Sequence, residues 1–506
     1  MNFLPTSKKE VEALGWDYID VILFTGDAYV DHPSFGVPLL ARVLEAKGYR
    51  VAVVPQPNWR DDLRDFRKLG RPRLFFGVSA GAMDSMVNHY TSAKRKRSDD
   101  AYTPEDRAGA RPDRATIVYT KILKQLWPDV PVVIGGIEAS LRREQHYDYW
   151  DNCVKPPIIE ESGADVLIAG MGEIPILQVA EACANGTLKD LPRIVYGPVL
   201  TTAQMDWIYD LPFTRLPHPR YKGKRIPAYD MIKFSITTHR GCFGGCNFCA
   251  ITAHQGKQIQ SRSEASILRE VEALTHHPEW RGTITDLGAP TANMYRMGGR
   301  DRELCAKCRR PSCLYPKMCR NLDHDHTPLL QLYEKVLKVP GVKHVFIGSG
   351  IRYDLFLDEN GFLDATGRRY FEELVTKHTG GRLKIAPEHT VDHVLDAMGK
   401  PSFKLFERMV LEFKKLIRAR GLKYEIIPYF ISAHPGCTMQ DMEALSRHPA
   451  LRGVRTEQVQ DFLPTPMTVS TEMFHSGKDP RTGKKLFVER SIAKKQQQKS
   501  FFFKKR

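Results

Sequence analysis

No apolar run in the 506 residues is long enough to cross a bilayer, so the chain does not read as a helical membrane protein. Residues Met1–Glu10 lack the charged-then-apolar plan of a secretory signal. Without an export signal the expected compartment is the cytoplasm, with no membrane partner. In that reducing setting cysteines mean metal or redox chemistry more often than disulfides. Internal repeats are absent too, which sets aside a solenoid. Acid is in short supply, with 59 Asp and Glu against 75 Lys and Arg, for a net charge of +16. Six of those charges (Lys494, Lys495, Lys499, Lys504, Lys505 and Arg506) fall in the last thirteen residues, where no acid opposes them. The surplus is compatible with an anionic partner such as RNA, a nucleotide or a phosphorylated substrate, and equally with a basic protein that binds no nucleic acid.

The length exceeds one ordinary core, so two or three domains are expected. The first stretch alternates strand-like and helix-like runs. Asp17–Phe24 is apolar and β-rich, Val37–Lys47 has helical periodicity, and Val51–Val54, Arg73–Val78, Pro131–Ile134 and Asp165–Ala169 are further buried-strand candidates. Alternation of this kind predicts a doubly wound parallel sheet with helices on both faces, and ligands bind beyond the carboxyl ends of its strands. Gly26–Gly36, Ser79–Met83 and Gly135–Ser140 would line that edge. The run Lys94–Arg97 reads as solvated surface. Repeated prolines around 198–226 read as a linker. A second α/β series follows, with strands at Lys233–Thr237, Thr283–Asp286, His344–Ile347, Leu383–Ile385, Tyr424–Phe430 and Gln458–Phe462. Six strand–helix units suit an incomplete barrel, whose active end is the face where the strands finish. The expected fold class is therefore α/β. An N-terminal Rossmann-like domain (1–200) and a linker (201–227) precede a partial (β/α)6 barrel (228–480) with a Cys-rich insertion (300–326), and a basic, disordered tail (481–506) closes the chain.

Seven of the ten cysteines lie in two tight groups. The first, Cys242, Cys246 and Cys249, has the spacing C-x3-C-x2-C directly after a strand. A cube of four irons normally takes four thiolates, so three within eight residues hold three irons and leave one open to a small chelating ligand. Gly241, Gly244 and Gly245 let the backbone wrap closely, and Phe248 can shield the last thiolate from water. A zinc site or free thiols are the alternatives. Structural zinc usually takes four protein ligands, often in paired C-x2-C units, and the x3 and x2 gaps fit that poorly.

With an aromatic residue before its last cysteine, this triplet resembles the signature of the radical S-adenosylmethionine superfamily. The resemblance implies that the open iron chelates the amine and carboxylate of S-adenosylmethionine. Reductive cleavage then yields a 5′-deoxyadenosyl radical that abstracts hydrogen from a substrate, with a flavodoxin or ferredoxin as reductant. It also implies cofactor contacts at Gly288 and Ala289 near the methionyl amine, although Gly-Ala-Pro replaces the common Gly-Gly-Glu. Arg262, at the start of the first barrel helix, would face an anion, and Glu388 the ribose. Ordinary capping or surface pairing explains these positions as well. More narrowly, Gly26–Gly36, Gly135–Ser140, His239–Cys249, Gly288–Tyr295 and Val459–Pro466 resemble the YgiQ family of radical S-adenosylmethionine proteins. That family implies a Rossmann-like domain and a barrel, and no particular substrate.

The second group, Cys305, Cys308, Cys313 and Cys319, is a candidate site for zinc or an auxiliary iron–sulfur cluster, with His324 and His326 as spare ligands. Arg302, Lys307, Arg309, Arg310, Lys317 and Arg320 surround it, so the same loop could grip an anionic substrate. Cys153, Cys183 and Cys437 are isolated and read as plain thiols. The N-terminal domain resembles the cobalamin-binding domains that precede many radical S-adenosylmethionine barrels. It lacks their Asp-x-His-x-x-Gly pattern, since Asp31 and His32 are adjacent and Gly36 comes four residues later. A Rossmann-like domain without a corrinoid is the alternative. Leu141–Asp151 reads as a cleft lining or a surface helix. A cobalamin-dependent methyltransferase or methylthiotransferase acting on RNA or protein is one rival reading of the whole chain. A zinc-dependent nucleic-acid-binding protein is another.

Overall fold

The computed structural model describes residues 3–358 and 360–503. The chain divides into two compact units, Met1–Leu200 with Gln204–Lys233, and Thr201–Ala203 with Phe234–Arg506.

In the first unit, runs such as Val21–Thr25 and Val51–Pro55 are buried at every position. Continuous burial requires cover on both faces, because successive side chains point to opposite sides of a strand. Val21, Leu23, Val51 and Val53 pack with Val43, Leu44, Ile176 and Val179 from the helices Gly36–Glu45 and Glu173–Ala184. Ile22, Phe24, Ala52 and Val54 pack on the other side with Tyr119, Leu123, Ile158 and Ile159 from Ala115–Leu126 and Ile158–Ser162. The result is a six-stranded parallel sheet in the spatial order Val51–Pro55, Val21–Thr25, Phe75–Ser79, Val132–Gly135, Val166–Ala169, Ile194–Tyr196. Chain direction across the sheet reverses between its first and second strands, so the switch point lies beyond Thr25 and Ser79. Leu141–Asp151 is neither helix nor open cleft lining at its centre. His146–Asp148 pairs antiparallel with Cys153–Lys155, and Tyr147 and Tyr149 are buried.

Two sequence-based expectations are corrected here. The stretch 201–227 is not a free linker. Most of it folds into the first unit: Met205, Ile208 and Tyr209 enter one face of its core, and Ile226 packs with Ala28, Val30 and Phe35. Prolines suggested an open connection, yet apolar side chains between them had a surface to cover. Nor are residues 481–503 a disordered tail. Ile492–Phe503 is a helix on the barrel, where Phe502 stacks on Phe430 and Gln498 is fully buried. The polar composition masked the helix because its anchor is a glutamine held by hydrogen bonds. Lys504, Lys505 and Arg506 lie outside the described residues.

The second unit is an arc of short parallel pairings in chain order. Ser235–Thr237 pairs with Asp286–Gly288, and the adjoining Thr283–Ile284 with His344–Val345. A bridge from Ile351 to Ile385 leads to Arg382–Glu388, which continues through Glu425–Ser432 to Gln458–Asp461. The intervening helices bury one face each. In Thr327–Leu337 the buried residues are Leu329, Leu332, Tyr333 and Val336, at the i, i+3, i+4, i+7 spacing of an amphipathic helix. In Phe403–Ala419 they are Phe403, Phe406, Met409, Val410 and Phe413. All belong to one continuous core.

The Gln498 amide gives the C-terminal helix a measurable role. Its Oε1 accepts from the Ala433 N–H at 2.9 Å and its Nε2 donates to the Cys437 carbonyl at 3.4 Å. Replacing it by Leu strands a buried donor and acceptor, so Gln498→Leu should cost about 1–3 kcal/mol in urea unfolding. An unchanged midpoint would show that the helix adds nothing to the barrel.

Candidate active site

The strand Ser235–Thr237 leads into the cysteine loop, and the Thr238 N–H donates to the Gly288 carbonyl at 2.8 Å. That bond ties the exit of the first barrel strand to the end of the second. Two of the loop's glycines are dictated by backbone. Gly241 has φ +87° and Gly245 φ +59°, and a Cβ there would lie 2.1 Å from the Gln258 carbonyl oxygen and 2.4 Å from the Pro311 carbonyl oxygen, respectively. Gly244 is dictated by space. A Cβ would sit 2.9 Å from Arg352 Nη1 and 3.3 Å from Cys242 Sγ, in the gap between guanidinium and thiol.

Cys242, Cys246 and Cys249 are half-buried free thiols within electrostatic reach of one another. Burial raises the Cys242 thiol against the pull of the Thr291 hydroxyl, 3.3 Å from its sulfur. Burial and the Cys246 charge push Cys249 up to about 12. Three such thiols ionise together only if a cation takes up their charge. One cation is built in: Arg352 Nη1 donates to Cys246 Sγ at 3.1 Å, while its Nε donates to Asp354 Oδ1 at 2.8 Å. The Asp354 carboxyl is held below its ordinary range, burial being outweighed by Arg352. Asn293 fixes this pair from behind, accepting from the Arg352 N–H and donating to the Arg352 carbonyl, each at 2.9 Å. Nothing in the cysteine spacing pointed to Arg352, Asp354 or Asn293. The available signal was an Arg-x-Asp just past an apolar strand, which is common on surfaces.

Asn247 anchors the loop to later parts of the barrel. Its N–H donates to the Met398 carbonyl at 2.9 Å, its Nδ2 to the Ala397 carbonyl at 2.8 Å, and its own carbonyl accepts from Ser470 at 2.9 Å. Phe248 packs against the barrel core, with its ring 6.3 Å from that of His434.

Glu388 ends the strand Arg382–Glu388 at φ +71°, a left-handed conformation that a side chain rarely adopts and that costs about 1–3 kcal/mol. Burial raises its carboxyl, opposed by Lys400 and Arg352, and its charge reaches the Cys249 sulfur. Strain and burial coincide beside the thiols, as at sites kept for function. Gly288 is buried close to Asp286 and Ser349, and Ala289 is half-buried at the same strand end.

Arg262 departs from expectation. Its side chain is fully buried, donating to the Thr237 carbonyl at 3.0 Å and to Ser266 at 2.8–3.2 Å, and pairing with Glu270. A guanidinium so committed holds the first helix to the first strand and is not offered to an anion. Ser263 caps that helix through the Ser266 N–H at 3.1 Å. His326 is likewise in the core, stacked on Tyr370 at 4.4 Å, and burial lowers its pKa to about 4. His324 stands 3.8 Å from Asp364.

The donor set fits an iron–sulfur cluster: three unpaired thiols on a glycine-lined loop, with a guanidinium donating to the middle sulfur. The Rossmann-like unit fits a corrinoid badly. His32 is fully buried, its Nδ1 accepting from the Ser34 N–H at 3.0 Å, and Asp31 is committed to Arg42. At the switch point the buried Arg111 pairs with Asp27 at 2.9 Å and Asp100 at 3.1 Å and donates to the Ala80 carbonyl at 2.7 Å. A Cβ on Gly26 would lie 2.3 Å from that carbonyl oxygen.

Comparison with known proteins bears on both units. Residues 3–198 and 193–235 match the family described as "Radical SAM N-terminal", and residues 457–503 match a domain of unknown function, DUF3362. A UPF0313 protein of Porphyromonas gingivalis is 50% identical over 99% of this chain and 90% of its own length. A UPF0313 protein of Bacteroides thetaiotaomicron is 49% identical over 99% and 94%. Among solved structures, the radical S-adenosylmethionine methyltransferase TsrM of Kitasatospora setae, with cobalamin and a [4Fe-4S] cluster bound, aligns with a TM-score of 0.53. It is 15% identical, covering 89% of this chain and 74% of that one. At that identity the likeness speaks for the fold: a Rossmann-like sheet followed by a radical S-adenosylmethionine barrel.

Removing Asp354 would leave the Arg352 charge buried without its carboxylate. Asp354→Ala should therefore destabilise the chain by about 3–5 kcal/mol in urea unfolding without metal. A loss below about 1 kcal/mol, the level of an exposed pair, would show that Arg352 does not depend on it.

Proposed function

The chain belongs to the UPF0313 family, and on that premise we propose that it is a radical S-adenosylmethionine enzyme with a 4Fe–4S cluster on Cys242, Cys246 and Cys249. The observation that carries this reading is the loop itself: three unpaired thiols at the carboxyl end of the first barrel strand, the middle sulfur 3.1 Å from a buried guanidinium. A cluster held by these cysteines, with S-adenosylmethionine bound, would supply reductive cleavage of the sulfonium and the hydrogen abstraction that follows from it.

The chain's own residues divide the remaining work. Gly288 and Ala289 would hold the methionyl amine, and Glu388 the ribose. Arg352 donates to a ligating sulfur and offsets part of the thiolate charge. Phe248, next to Cys249 in the chain and with its ring 6.3 Å from that of His434, would limit access of water to the last cysteine. A small reduced electron carrier, a flavodoxin or ferredoxin, would supply the electron. The substrate is left open, with an anionic molecule or RNA favoured only by the net charge. A cobalamin-dependent methyltransferase or methylthiotransferase shares the fold, but the commitments of His32 and Arg111 speak against a corrinoid here. No helix among the described residues is long and apolar enough to cross a membrane.

Protein prepared without oxygen should be brown and should release 5′-deoxyadenosine on reduction with S-adenosylmethionine. Cys246→Ala should reduce that release to background. A colourless protein carrying zinc at both cysteine groups would replace this reading with the zinc-dependent nucleic-acid-binding one. Copurification of a corrinoid after growth with cobalamin would reopen the methyltransferase reading. Arg352→Gln should leave the iron content unchanged and move the cluster's reduction potential to more negative values, because a charged donor to sulfur is lost. An unmoved potential would confine Arg352 to a structural role.

A further inference from the structure

The insertion between the second and third barrel strands gathers its four cysteines in one place. Gly298–Gly299 pairs with Leu322–Asp323 and closes the insertion as a loop. Within it, the Cys308 N–H donates to the Cys305 carbonyl at 3.1 Å and the Cys319 N–H to the Cys313 carbonyl at 2.7 Å. Asn321 Nδ2 lies 3.3 Å from Cys305 Sγ, and a Cβ on Gly299 would be 2.1 Å from that sulfur. Charges on Cys319, Cys305 and Cys308 all reach the half-buried Cys313 sulfur. None of the four is in a disulfide. From this convergence we propose that Cys305, Cys308, Cys313 and Cys319 hold a second iron–sulfur cluster, independent of the three-cysteine site.

Ligand number suits a four-iron cluster, which takes four thiolates. One tetrahedral zinc, with Zn–S bonds of about 2.3 Å, draws its sulfurs to within roughly 3.8 Å of one another. Among the described residues no three His, Cys, Asp or Glu side chains are grouped closely enough to hold one metal ion. That is equally true of Cys242, Cys246 and Cys249, the triplet spaced for a cube. Four free thiols within one closed loop match in number the four thiolate ligands of a cluster.

The charge of the loop has the matching sign. Four thiolates bring more negative charge than a 4Fe–4S core neutralises, and hydrogen bonds and cations near sulfur set how readily such a centre takes an electron. Lys257 Nζ is 4.0 Å from Cys308 Sγ and is held there by the Arg310 carbonyl at 2.7 Å. Lys307, Arg309 and Arg310 follow in the chain. Lys257 thus places one cation beside the half-buried thiols, as an anionic centre there requires.

The insertion is also joined to the first site by backbone. The Cys313 N–H donates to the Phe243 carbonyl at 3.0 Å and the Ser312 hydroxyl to the Gly244 carbonyl at 2.7 Å. Cys242, Cys313 and Cys319 all pack against one small apolar cluster containing Phe243, Leu314 and Leu322. The two cysteine groups are therefore built as neighbours.

The test counts iron and sulfide in full-length protein reconstituted anaerobically with ferrous iron and sulfide. The parent should hold about eight irons, and a variant with Cys242, Cys246 and Cys249 all changed to Ala about four, with a reduced-state EPR signal of its own. That variant keeps all four cysteines of the insertion and the Phe243 and Gly244 carbonyls that hold it, and an unchanged urea midpoint verifies that those contacts survive. Adding Cys308→Ser and Cys313→Ser to it should remove the remaining iron. If the triple variant takes up no iron, or retains one zinc that iron does not displace, the second cluster is overturned. If the Cys308→Ser, Cys313→Ser protein alone loses all iron while the triple variant keeps four, the three-cysteine reading fails and this one stands.

Discussion

A guanidinium shut away from water must be satisfied on every side, and Arg352 is satisfied by a carboxylate on one side and a thiol on the other. Its desolvation would be prohibitive without Asp354, and with Asp354 the pair is close to neutral toward stability. What the arrangement secures is position. One donor is left over and fixed 3.1 Å from Cys246, while Asn293 clamps both backbone groups of the arginine. Gly244 follows from the same constraint, since a side chain there would enter the gap between cation and sulfur. The cysteine loop thus owes its shape as much to a residue more than a hundred positions away as to its own glycines.

Much of this architecture was legible in the sequence. The runs Asp17–Phe24 and Val51–Val54 read as buried strands because apolar β-branched residues persist, and the structure has strands at Val21–Thr25 and Val51–Pro55; the sixth strand, Ile194–Tyr196, was not among the expected ones. The barrel strands lay at six of the expected places, although several pairings span only two or three residues. The cysteine spacing stood out because thiolate chemistry needs ligands at fixed intervals and tolerates few substitutes. Glu388 was singled out by the family resemblance, and the structure gives it a left-handed backbone within electrostatic reach of Cys249.

Other features were hidden for identifiable reasons. Arg262 stood where a helix begins, and a cation there reads as an anion site. Only the positions of Ser266, Thr237 and Glu270 reveal that its donors are already taken. Residues 201–227 carry repeated prolines and so read as a linker, although Ile226, with Ala228 and Tyr229 just beyond, completes a small core with Ala28 and Phe35. The C-terminal helix was masked by its glutamines and lysines, since buried polar contacts such as those of Gln498 leave no periodic trace. In each case side-chain contacts made in the fold decided a role that composition suggested otherwise.

The acid–base character of the barrel's active end follows from the same accounting of charge. Three thiols in a half-buried pocket resist ionising together, as the elevated Cys249 shows, so any further anion there is disfavoured. Glu388 is the nearby carboxyl, and burial raises it, shifting it toward its neutral form. A neutral carboxyl can donate as well as accept a hydrogen bond, which a carboxylate cannot. The strained backbone at Glu388 makes sense on that footing. It holds in place a carboxyl that burial raises and that Lys400 and Arg352 pull the other way, at a strand end where it can bind a hydroxyl-bearing group.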